Sequence, residues 1–222
     1  MHNASETALR GQGLRLWIGL LLLGFAATTA QAQQAGEFNI CGDLGNHYGP
    51  YDYRTEKNKL IIVNNAHFTP VVESLIGSAT GDMNADIDYV LRASPNHHRA
   101  LVSVMRLAAR TKDTHPKSFK WSLACYFDRA VRFAPDDGVA RMLYAQFLGQ
   151  AKRVEDATRQ LDIAIKLAPE NALSQYNAGL VFLEMGQFDR ALAQAHVAQK
   201  MGFTRTDLTD SLKKANRWQE PQ

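Results

Sequence analysis

Three stretches of this 222-residue chain end the same way. VLRASP runs to Pro95, AVRFAP to Pro135 and AIKLAP to Pro169. Proline lacks a backbone N–H and clashes with the preceding turn, so each stretch reads as a helix stopped at a fixed point. The step from Pro135 to Pro169, taken once more, lands on Phe203, just after Met201-Gly202. A fixed period of this length means supersecondary units that bury their apolar faces only by stacking on their neighbours. That constrains the fold more than composition does. Composition agrees with it: 45% apolar residues can build a core. A formal charge of +3 is too small for an electrostatic nucleic-acid binder. Two cysteines supply neither a disulfide-dense mini-fold nor a four-cysteine zinc site.

With units starting at 138 and 172, small residues recur in register. The first unit has Ala145, Ala157 and Ala164; the second has Gly179, Ala191 and Ala198. Such positions are where two helices cross closely and a large side chain would hold them apart. The segments 143–169 and 176–199, with Gly179, Gly186, Phe188, Ala191 and Ala198 in place, resemble the tetratricopeptide repeat (TPR) family. The resemblance implies an all-α chain, a right-handed α-solenoid of helical hairpins. Repeats 138–171 and 172–205 are clear. Repeats 69–97 and 98–137 are degenerate, the latter with a longer inter-helix loop at 111–120. Helical repeats then fill 69–222. The first helix of 69–97 is expected to start on Thr69 and Pro70 and to end near Gly77. A polar helix at 204–218, with Thr204 and Asp207 as a capping-box-like pair, would close the array. Residues 33–68, rich in Gly, Asn and Tyr, read as an irregular N-terminal arm with one β-like run, Leu60-Ile61-Ile62-Val63.

Positions 1–32 follow the order of a secretory signal peptide. Arg10 and Arg15 precede an apolar run at 16–27, and Ala30-Gln31-Ala32 supplies a small–x–small cleavage site. The run is shorter than the roughly 20 apolar residues that span a bilayer; the other reading is an uncleaved anchor. Cleavage would leave no stable membrane span and place the protein in the periplasm. There the even pair Cys41 and Cys125 is expected to form a disulfide. The competing reading leaves Cys125 as a small buried hydrophobe on a helix.

No catalytic constellation emerges. The histidines (His47, His67, His97, His98, His115, His196) lack metal-ligand spacing. Asp82, Asp86 and Asp88 do not match a calcium loop, and charges at a helix N-terminus account for Asp82 and Asp86. No phosphate loop or nucleophile elbow is present, so neither an enzyme activity nor a cofactor is expected. The resemblance implies instead a concave groove lined by the first helix of each unit, holding a peptide or partner protein. Its candidate lining is Arg99, Arg106 and Arg110, a basic stripe suited to carboxylates, with Gln146 next and Tyr176, Asn177 and Leu180 farther along. The arginines equally suit a plain solvated helix face. A rival reading puts an envelope enzyme or ligand site where the arm (His47, Tyr48, Tyr51, Asp52, Arg54) crosses the repeats. A third has the open end of the array pair with another copy.

Overall fold

A computed structural model describes residues 40–221; the expected signal peptide, 1–32, lies outside them. Among the described residues the chain is helical and has no strand. The elements are α1 (Lys57–His67), α2 (Pro70–Glu73), α3 (Met83–Ala93), α4 (His98–Thr111), α5 (Leu123–Phe133), α6 (Gly138–Gln150), α7 (Val154–Leu167), α8 (Ala172–Glu184), α9 (Phe188–Lys200) and α10 (Asp207–Lys214).

The proline-ended segments become helix ends with a common restart. Two positions past each proline sits the N-cap of the next helix, a side chain that accepts from main-chain N–H groups otherwise left unbonded. His97 Nδ1 accepts from Ala100, Asp137 Oδ1 from Val139 and Ala140, and Asn171 Oδ1 from Ser174. The turns inside the two clear repeats also superimpose in their hydrogen bonds. Arg153 N donates to Leu148 O, and one unit later Gln187 N donates to Phe182 O, both at 2.9 Å. Each turn needs a left-handed residue. Gly186 supplies it at φ 76°, a conformation glycine adopts freely, and Lys152 supplies it at φ 63°.

All substantial helix contacts join neighbours one or two places apart along the chain. The even-numbered helices form a row: α2 packs on α4, α4 on α6, α6 on α8 and α8 on α10. Among themselves α3, α5, α7 and α9 make no comparable contacts. The core runs along the row as a ribbon, through Leu101, Val104, Phe127, Leu148, Leu161 and Phe182, all buried. The recurring small residues are all buried, and Gly179 sits at a close crossing. A Cβ on Gly179 would come within 2.4 Å of Leu208 Cδ2 and 3.3 Å of Gln194 Cβ.

Three local expectations are corrected. The run Leu60–Val63 is helical, part of α1. Leu60 and Val63 turn inward and are buried, and α1 packs on α3, so tertiary burial overrides the strand preference of β-branched residues. The helix expected to end at Gly77 stops at Glu73, because Leu75 turns left-handed at φ 56°. The closing helix is α10, with Thr206 at its N-cap; Thr204 and Asp207 form no capping box, since Asp207 accepts from the Tyr176 hydroxyl and from Arg205.

The described part of the arm begins at Ile40. Cys41 and Cys125 form a disulfide, with Cα atoms 5.0 Å apart. Beside it, fully buried Arg129 on α5 donates from Nη1 to the carbonyls of Cys41 (3.0 Å) and Asp43 (2.6 Å). Its guanidinium lies 3.7 Å from the Trp121 ring centre. Burial pulls its pKa down to about 10, and the charge of Arg132 adds to the effect. Farther along, Asn46 accepts from Arg92 on α3, and Tyr51 N donates to Ala93 O. The arm thus lies across the odd-numbered helices α5 and α3.

Candidate functional site

The even-numbered row carries the predicted groove residues, and their surroundings differ. On α4, Arg99, Arg106 and Arg110 fall on one exposed face. Arg99 ion-pairs with Glu73 and lies over the Phe68 ring at 5.8 Å; Arg110 Nη1 donates to Leu75 O at 2.9 Å. Ser103 adds a hydrogen bond to Glu73 O. The bond from Arg99 is the main force holding the Glu73 carboxyl below its ordinary range, and the charge of Arg106 adds to it. The three arginines therefore do form a stripe. The chain's own segment 73–75 takes two of them, which leaves Arg106 as the outward cation of the three. Sequence spacing placed the stripe on one face but carried no sign of what lay opposite.

Gln146 on α6 and Asn177 and Leu180 on α8 are half-buried on the next helices of the row. Tyr176 departs from the expectation of an open apolar contact. It is 2% exposed. Its ring packs on Phe203, centroids 4.7 Å apart, and its hydroxyl donates to Asp207. The residue holds α10 to α8 instead of facing a groove.

A second constellation gathers where the arm meets the turns after α3 and α5. Asp137, buried at the N-terminus of α6, receives Asn96 Nδ2 and His98 Nε2 on Oδ2, both at 2.8 Å. Asn96 also donates to Asp52 at 2.8 Å and accepts from Tyr53 N at 3.0 Å. Arg54 bridges Asp52 and Asp136. Tyr53 packs on the rings of His97 and His98, at 4.3 and 5.0 Å. Burial raises the Asp137 carboxyl, but the bond from His98 and those from Ala140 and Asn96 outweigh it, so it stays below its usual range. Asp52 is also held low, chiefly by Arg54. Each charge is spent on a neighbour within the cluster, so the constellation is a clamp. Of the arm residues singled out earlier, Asp52 and Arg54 join it. Tyr48 bonds Lys59 O, Tyr51 meets Tyr48 edge to face, and His47 is exposed and apart. Sequence reading missed Asn96, Asp136 and Asp137. Their signal was present in the two positions after each proline.

His97 is a strongly altered titrating group. It is fully buried, and desolvation lowers its pKa to about 3. The ring is neutral: Nδ1 accepts from Ala100 N, and Nε2–H donates to Asn64 Oδ1 at 3.1 Å. Asp86, expected as a helix-end charge, lies in the first turn of α3 and is also fully buried. Burial raises its carboxyl, and bonds from His67 Nδ1, Thr80 Oγ1, Ala79 N and Thr80 N bring it below the ordinary range. Among the described residues no three His, Cys, Asp or Glu side chains are grouped to hold a metal ion, and no helix is long and apolar enough to cross a membrane. Compared with protein-family models, with curated proteins and with solved structures, the chain gives no match.

Proposed function

We propose that this protein is an exported, TPR-like adaptor, a right-handed α-solenoid that docks a peptide or partner protein along its even-numbered helices. The observation that carries the reading is the asymmetry of helix packing. The even helices pack on one another along the chain, and from α3 onward the odd ones make no comparable contacts. In a stack of hairpins the row in mutual contact is the inner, concave one. The arm lies on the other row, held by Cys125, Arg129 and Arg92. The inner face from Arg106 through Gln146 to Asn177 therefore stays outside its cover. Arg106 offers an end for a carboxylate, and half-buried amides beside Leu180 offer hydrogen bonds to an extended main chain. A fold does not fix a function; this face is what supports a docking role. A periplasmic address is supported by the disulfide, which persists in oxidising compartments, and by the leader-like positions 1–32.

The test is affinity capture from the periplasm, read by mass spectrometry, with the full chain and two variants. Arg106→Glu combined with Asn177→Ala should lose the captured partner while helix content stays unchanged. Lys166→Glu on α7, in the outer row, should keep it. Equal capture by all three chains would remove the inner face as the docking surface.

A further inference from the structure

At the N-terminal end of the described helices, α1 turns outward a stripe that no other described element covers. Leu60 and Val63 face the core, whereas Ile61 and Ile62 are 59% and 67% exposed. Asn58, Asn65 and Ala66 are exposed on the same side. The spacing Asn58, Ile61, Ile62, Asn65 is i, i+3, i+4, i+7, one continuous helix face. It borders a shallow cleft of about 600 Å³ walled by Tyr48. The other end of the array is treated differently, since α10 covers Tyr176 and presents charged residues to water.

The stripe reads the same in both directions. Place a two-fold axis between Ile61 and Ile62, and an antiparallel copy of α1 sets Ile61 against Ile62 and Asn58 against Asn65. A two-fold interface demands this property: what one surface presents, the same surface must accept. An asparagine side chain both donates and accepts, so Asn58 and Asn65 satisfy each other across the axis. No charge stands in the stripe to repel its copy. The nearest, Lys59, is neutralised by Glu56 at 2.8 Å and rests over the Tyr51 ring. We propose that α1 is a self-association surface, and that its occupant is α1 of a second copy of this chain, antiparallel and centred between Ile61 and Ile62. A single helix crossing is smaller than a standard stable interface, so the dimer belongs in the micromolar range and forms by concentration.

Sedimentation equilibrium of the full chain up to about 500 µM should show a monomer–dimer equilibrium, as befits a small interface. Ile61→Glu with Ile62→Glu, both at exposed positions, should weaken it on the order of 100-fold with helix content unchanged. Register is read by a short bismaleimide. Asn58→Cys and Asn65→Cys chains mixed together should cross-link, while either chain alone should cross-link poorly, because its two thiols would lie about 10 Å apart along the helices. Cys41 and Cys125, bonded to each other, do not react. A chain that stays monomeric, a double variant that associates like the parent, or cross-linking equal in single and mixed samples would each overturn the proposal. None of these outcomes bears on partner capture by the inner face.

Discussion

Replacing His97 by asparagine isolates one contribution to the pH dependence of stability. The native ring is buried and neutral, its pKa lowered from 6.5 to about 3. In the unfolded chain it titrates near 6.5. As the pH falls through 6.5 the unfolded state gains a proton that the native state refuses, so stability is complete above 6.5 and drains away toward 3. At pH 5 the difference spans about 1.5 pH units, or about 2 kcal/mol at about 1.36 kcal/mol per unit. Neighbouring charges modify this. Arg99 and His98 disfavour the imidazolium, and Glu73 favours it. Asparagine is a fitting replacement because Asn171 caps α8 from the equivalent place. Urea unfolding at pH 7.5, 6 and 5, followed by circular dichroism, gives both stabilities. Groups common to the two chains cancel in the difference. The parent should lose about 2 kcal/mol more than His97→Asn between pH 7.5 and 5. Parallel pH curves would refute a neutral buried His97.

Two further perturbations test the packing. Changing Cys41 and Cys125 together to serine opens a loop with a sequence separation of 84. In the chain-entropy model that costs about 4.5 kcal/mol, read as a lower urea midpoint that added reductant no longer shifts. Gly179→Ala forces a methyl toward Leu208. It should cost about 1–3 kcal/mol from overpacking despite the better helix propensity of alanine, and Leu208→Ala on the same chain should recover part of it. A thermally more stable Gly179→Ala chain would count against that close crossing.

The sequence by itself determined the helical character from Pro70 onward, the unit length and the three points where proline stops a helix. Those are local or periodic properties: proline blocks a helix wherever it stands, and a small residue returning once per unit marks a crossing without reference to any distant group. The pairing of Cys41 with Cys125 was legible too, because only two cysteines were there to pair. Tertiary structure decided the rest. Ile61 and Ile62 read as a strand until Leu60 and Val63 found α3 to bury against. Tyr176 sat in a groove register until α10 folded over it. Arg99 and Arg110 formed an open stripe on paper, whereas in the fold Glu73 and Leu75 meet them from an earlier segment. Asp137 drew no notice as a spacing, yet in the fold it anchors Asn96 and His98 from the preceding turn. Each of these outcomes depends on a partner from a different element of the fold, or on which face of a helix water keeps, and one-dimensional spacing holds neither.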